Sequence, residues 1–189
     1  GAGRATWSGG LQTALSLAGP GGWELENIDF ACAGAELCGP DVIVLHIATT
    51  APGGHLVLRN VSVSGGGLMG FKFLPNHDFK DLLVDRCDFH HSNAGAQIGH
   101  GDVAARYIRN LLVTDSKFHD NGRSVSGVDI AGLGLEVVNV SGGRITRNLA
   151  WDNGVNSPAG GHNAILVEYS DGLLIEGNEV WGTRLSGDG

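Results

Sequence analysis

Leu82-Leu-Val-Asp-Arg-Cys-Asp-Phe89 and Leu111-Leu-Val-Thr-Asp-Ser-Lys-Phe118 align without a gap, and that match decides the fold. Four more segments join them: Trp23-Glu-Leu-Glu-Asn-Ile-Asp-Phe30, Leu56-Val-Leu-Arg-Asn-Val-Ser-Val63, Gly143-Arg-Ile-Thr-Arg-Asn-Leu-Ala150 and Leu173-Leu-Ile-Glu-Gly-Asn-Glu-Val180. Their third positions are Leu25, Leu58, Val84, Val113, Ile145 and Ile175, at separations of 33, 26, 29, 32 and 30 residues. A unit of this length, repeated, predicts a solenoid. One unit buries too little to stand alone, and stacked units bury a continuous core.

Positions one and three of each unit are two apart, so their side chains share one side of a strand. Position six (Ile28, Val61, Cys87, Ser116, Asn148, Asn178) and position eight (Phe30, Val63, Phe89, Phe118, Ala150, Val180) form a second such pair. The change from odd to even positions requires a bend. Each unit therefore reads as strand, corner, strand. Parallel stacking at about 4.8 Å puts like residues above like. Asn148 and Asn178 are expected to stack at the corner, where amides bond the turn backbone. His90 and His119 follow Phe89 and Phe118 and are expected to stack as a solvated corner.

A further short strand precedes four units, at Gly70-Phe-Lys-Phe73, Ala96-Gln-Ile98, Val128-Asp-Ile130 and Ile165-Leu-Val-Glu168. Its outward residues are then Lys72, Gln97, Asp129 and Leu166, with Glu168 beside them. Longer loops at Asn121 to Ser126 and Asn153 to Asn163 make a groove of this face. Upstream, Leu11-Gln-Thr-Ala-Leu-Ser-Leu17, ended by Gly19-Pro20-Gly21-Gly22, reads as a short amphipathic helix that caps the coil. The expected organisation is one domain over residues 1–189, with the cap at 1–21 and about six coils at 22–182. No matching cap follows, so either the coil continues past Gly189 or something covers it.

Composition agrees with many short strands. The chain holds 32 glycines in 189 residues, more than twice the usual share of about 7%. They punctuate apolar runs as turns do. With 12 basic and 20 acidic residues the net charge is −8, which speaks against a general nucleic-acid binder. No apolar run reaches the roughly 18 residues of a transmembrane helix. Cys32 and Cys38 flank a small loop that a disulfide closes if the compartment is oxidising. Cys87 reads as a buried apolar residue.

The apolar-x-apolar-x-x-Asn units, as in Gly143-Arg-Ile-Thr-Arg-Asn148 and Leu173-Leu-Ile-Glu-Gly-Asn178, resemble the right-handed parallel β-helix proteins of pectate-lyase type. The turns Asp120-Asn-Gly122 and Asp152-Asn-Gly154 belong to the same style. The resemblance covers residues 22–182. It implies an all-β, right-handed coil, which the general crossover preference also favours. It further implies a secreted, periplasmic or cell-surface protein with a polysaccharide along its outer groove. Calcium is a common partner of the resembling lyases.

Lyases and epimerases of this type abstract a proton beside a uronate carboxylate, using a base and a cation that stabilises the developing charge. Lys72, His77 and Asp78 are candidates for base, acid and positioner. Leu74-Pro-Asn-His-Asp78 resembles the Asp-Pro-His-Asp signature of mannuronan C5-epimerases, with Leu74 replacing the first Asp and Asn76 inserted. A polar turn between strands accounts for the same residues. Glycoside hydrolysis needs two carboxylates roughly 5–10 Å apart, and Asp129 and Glu168 are the candidates. Gly99-His100-Gly101 resembles an element of polygalacturonases, but the paired carboxylates of that family are missing from the preceding coils. Gln97, His100, Arg123 and His162 are candidate substrate contacts, since loops carry such contacts. Asp102 and Asp129 are candidate calcium ligands. Three functions remain open: lyase or epimerase on an acidic polysaccharide, glycoside hydrolase, and non-catalytic sugar-binding or structural coil.

Overall fold

The computed structural model describes residues 4–8, 12–32, 38–101, 108–122, 132–154 and 163–183. Its strands stack in three columns, and every pairing is parallel. The third column is a seven-stranded sheet: Ala5–Ser8, Ile28–Ala31, Ser62–Ser64, Asp88–His90, Lys117–His119, Leu149–Trp151 and Glu179–Trp181. The first two columns form one ten-stranded sheet. Leu15–Glu26 and Ile43–Arg59 run through both columns without a break. Later coils divide at a turn. Their first-column strands are Met69–Leu74, Ala96–Ile98, Leu135–Val138 and Ile165–Glu168. Their second-column strands are Phe79–Asp85, Ile108–Thr114, Val140–Thr146 and Asp171–Glu176.

The expected register holds throughout. Leu25, Leu58, Val84, Val113, Ile145 and Ile175 are consecutive partners along the second column. Phe30, Val63, Phe89, Phe118, Ala150 and Val180 are consecutive partners along the third. Between the ends, these residues are buried in one apolar cluster. The bend falls on position five of the unit. Asn27, Asn60, Arg86, Asp115, Arg147 and Gly177 all have φ between 51° and 64°. A single left-handed residue turns the chain sharply and flips the inward parity from odd to even. Gly143 breaks the leucine pattern of position one for a local reason. Its φ is 143°, and a Cβ there would lie 2.2 Å from the carbonyl oxygen of Leu111.

Asparagine amides close the coils. Asn148 is fully buried. Its Nδ2 donates to the Asn178 side-chain oxygen at 2.9 Å and to the Val113 carbonyl at 3.0 Å. Its Oδ1 accepts from the Ser116 backbone N–H at 3.0 Å. A second ladder of the same kind follows the third column at Ser92, Asn121 and Asn153. In this way the corner backbone is satisfied without water.

Two expectations are corrected. The helix expected at Leu11–Leu17 is absent from residue 15 on, where Leu15–Glu26 is a strand paired with Ile43–Arg59; Leu11 lies outside the described residues. Leu15 and Leu17 alternate with polar neighbours, and that period of two packs them on the core. The glycines read as a helix stop instead fall inside this strand, at a register shift. The coil thus already includes residues assigned to a cap. The expected stacking of His90 on His119 is present, with ring centroids 5.1 Å apart, but the pair is half-buried rather than a solvated corner. His90, His119, Trp151 and Trp181 form one ladder of parallel rings on the outer side of the third column. His119 is clamped by Asp88 at 2.9 Å and Asp120 at 2.7 Å.

Cys32 and Cys38 form a disulfide, between the third column of one coil and the first column of the next. Cys87 is buried, its thiol donates to the Leu58 carbonyl at 3.4 Å, and burial pushes its pKa up to about 12. Among the described residues, no helix is long and apolar enough to cross a membrane.

Candidate functional site

One polar line runs across the outer face of the first column. His46 is the register partner of Lys72, Lys72 of Gln97, and Gln97 of Glu136. Strand alternation sends these four outward, because Leu45, Ile47, Phe71, Phe73, Ala96, Ile98, Leu135 and Val137 between them are buried in the core. Successive rungs are about 4.8 Å apart. The line ends on Leu166, the partner of Glu136.

The groups on this line interact. Gln97 is only 8% exposed, and its Nε2 donates to Glu136 Oε2 at 2.7 Å. The other amide atom, Gln97 Oε1, is buried and has no hydrogen-bond partner among the described residues. A buried orphan acceptor is costly and marks a place where a further donor fits. Burial raises the Glu136 pKa above its ordinary value. The bond from Gln97 opposes that shift, the charge of Glu168 adds to it, and Lys72 and His100 reduce it. Burial, and then the charge of Lys72, lower the pKa of His46. A carboxyl with a raised pKa and an imidazole with a lowered one, flanking an ammonium and an amide, are suited to acid–base work.

The residues expected from sequence are distributed as follows. Lys72 and Gln97 lie on the line. His100 acts on it electrostatically, and its carbonyl accepts from Asn139 Nδ2 at 2.5 Å. Glu168 is paired with Val138, two residues beyond the Glu136–Leu166 rung, and its charge reaches Glu136. His77 sits in the turn after the first column, its backbone N–H bonded to Thr49 Oγ1 at 3.1 Å. Asp78 lies at the start of the second column, 3.7 Å from Arg109. Among the described residues no hydrogen bond or ion pair joins Lys72 to His77 or Asp78. Asp102, Arg123, Asp129 and His162 lie outside the described residues, as does the stretch 128–130. The first-column rung between Gln97 and Leu166, expected to hold Asp129, is Glu136.

Glu136 and His46 are the members that sequence reading missed. Both stand in alternating stretches, Leu135-Glu-Val-Val138 and Ile43-Val-Leu-His-Ile47. The signal was the same apolar-polar-apolar pattern that picked out Phe71-Lys-Phe73. Among the described residues, no three carboxylate, imidazole or thiolate side chains converge as a metal site.

A family model for the right-handed beta helix region matches residues 46–188. No curated protein and no solved structure matches the chain. This scaffold serves carbohydrate-active and structural proteins alike, so activity has to be argued from the site. On its parallel three-column coil and a family match spanning most of its length, the chain belongs to the right-handed β-helix family, in keeping with the pectate-lyase-type resemblance.

Proposed function

We propose that this protein acts on an acidic polysaccharide lying across the His46–Lys72–Gln97–Glu136 line, by lyase or epimerase chemistry. The observation that carries the reading is the opposed pKa displacement of His46 and Glu136 on either side of Lys72. A ring nitrogen of neutral His46 takes the proton from C5 of a uronate. The C–H electron pair moves into the sugar carboxylate, where the Lys72 ammonium stabilises the new charge. In elimination that pair then forms the C4–C5 double bond as the C4–O bond breaks, and Glu136 protonates the departing oxygen. In epimerisation the pair returns to C5, and a proton from solvent reaches it on the face away from the line. Gln97 orients the Glu136 carboxyl through its Nε2–H. Calcium, where a resembling lyase uses it, neutralises the uronate carboxylate; here Lys72 has that role.

The Cys32–Cys38 disulfide supports export to an oxidising compartment, where such a polymer is met. A net charge of −8 favours no phosphate backbone as partner. A second reading rests on Glu168, whose charge helps raise Glu136. Two carboxylates with divergent environments also serve glycoside hydrolysis, with Glu136 in the place first given to Asp129.

The deciding experiment incubates the protein with a panel of uronate polymers and follows the ultraviolet absorbance of the unsaturated product, new reducing ends, and C5 configuration by NMR. Unsaturated product or inverted C5 supports the proposal. Reducing ends without unsaturation select hydrolysis. No change in any polymer overturns both and leaves a binding or structural coil.

A further inference from the structure

Lys80 and Arg109 are register partners on the outer face of the second column, and both are exposed. Neighbouring strands put these two cations on adjacent rungs, an arrangement that is unfavourable when nothing lies between them. Arg109 faces one carboxylate, Asp78, at 3.7 Å. Among the described residues Lys80 has no ion pair. The group therefore holds two positive charges and one negative, on a chain whose net charge is −8.

These residues open onto a cavity of about 170 Å³ lined by Pro52, Gly53, Asp78, Phe79, Lys80 and Arg109. A Cβ on Gly54, the register partner of Lys80, would lie 2.7 Å from Lys80 Cγ, so the Lys80 stem lies close against the neighbouring strand. The cavity also sits on the right coils. Met69–Leu74, with Lys72, leads into Phe79–Asp85, with Lys80. Ala96–Ile98, with Gln97, precedes Ile108–Thr114, with Arg109.

We propose that Lys80 and Arg109 form an oxyanion site that takes the carboxylate or sulfate of an acidic sugar unit, beside Pro52. The proposal rests on the reading of the neighbouring line as a polysaccharide site, and names the substituent recognised beside it. The Arg109 guanidinium presents a planar fork to two oxygens, and Lys80 adds a point charge. A neutral ring in the same place would leave the two cations facing each other.

The test is amide-shift mapping by NMR with three probes: trigalacturonate, its fully methyl-esterified form, and inorganic sulfate. Trigalacturonate is expected to shift the amides of Gly53, Phe79, Lys80 and Arg109, and the ester is not. K80Q/R109Q is expected to weaken trigalacturonate binding about tenfold or more, as loss of charge-assisted bonds does. Equal binding by the parent and K80Q/R109Q overturns the site. So do shifts confined to other amides, or shifts produced by sulfate but not by the sugar. E136Q separates this proposal from the catalytic one. If trigalacturonate still maps to Lys80 and Arg109 while E136Q turns over like the parent, the anion site stands and the catalytic reading fails. If E136Q is inactive and the mapping is absent, the reverse holds.

Discussion

Asn121 Nδ2 donates to Asn153 Oδ1 at 2.9 Å, across one rung of the coil. The same atom donates to the Phe89 carbonyl at 3.1 Å, while Asn153 Nδ2 reaches the Phe118 carbonyl at 2.9 Å. Asn121 thus ties its own coil to the one before and the one after, while Asn153 bonds to the preceding coil through both its amide atoms. This ladder and the one at Asn148 are polar seams beside an apolar core.

Removing one rung of a seam orphans groups that water cannot reach. Asn148→Ala leaves the Ser116 N–H without its side-chain acceptor and the Val113 carbonyl without its donor. The expected loss is about 2–6 kcal/mol, from two buried groups at roughly 1–3 each. Urea unfolding monitored by circular dichroism reads it. A loss below about 0.5 kcal/mol would mean that the amide is not a structural rung.

Thiol chemistry checks the cysteine assignment. The native protein is expected to show no reaction with a disulfide reagent, because the Cys87 thiol is buried and its pKa is pushed up to about 12. Unfolding without reductant should expose one thiol per chain, and reduction should expose all three cysteines. Three thiols on unfolding alone would show that the disulfide does not form.

His119 links stability to pH, and the sign follows from its partners. Burial alone would lower its pKa, but the bonds to Asp88 and Asp120 carry it above the ordinary 6.5. A histidine with a raised folded pKa stabilises most where the unfolded chain is already protonated, below 6.5. That contribution is lost as pH rises through the folded value. Asp88, lowered by its bond to His119 against the effect of burial, retains its charge in the same range. His90 works the other way: burial, opposed by Asp88 and aided by His119 and His91, lowers its pKa. The difference between parent and His119→Gln isolates the clamp. The parent's advantage in Tm is expected to be larger near pH 5.5 than near pH 8.5, on either side of about 6.5. An advantage that grows with pH would reverse the assignment.

The catalytic reading sets a pH window for activity. It needs Glu136 protonated and His46 neutral. Burial raises the pKa of the first and lowers that of the second. The kcat/KM profile on a responsive uronate polymer is expected to be bell-shaped, falling at high pH as Glu136 loses its proton and at low pH as His46 gains one. Glu136→Gln is expected to cut kcat by about 100-fold or more, the usual share of one general acid. It should also erase the alkaline limb. A variant with the parent's profile would remove Glu136 from the chemistry.

The repeat was legible because its signal is local and redundant. The aliphatic third position recurs six times, and each recurrence fixes the parity of a strand. The Asn148–Asn178 stack followed from the same alignment. The N-terminal misreading has a local cause. Leu15 and Leu17 suit a short helix as readily as a strand. Only their pairing with Leu45 and Ile47 chooses the strand.

The first column was harder, because the loop that separates it from the third varies in length. Val128-Asp-Ile130 and Leu135-Glu-Val-Val138 both offer an apolar residue on each side of a carboxylate. Pairing with Ala96–Ile98 selects the second and brings Glu136, not Asp129, against Gln97. By itself the sequence determined the coil, its register in two columns and the outward positions of Lys72 and Gln97, because periodicity is a property of neighbours along the chain. Only the tertiary structure decided which acid meets Gln97 and which imidazole meets Lys72. Those partners are 39 and 26 residues apart, and loops whose lengths follow no repeat set which rung lies above which.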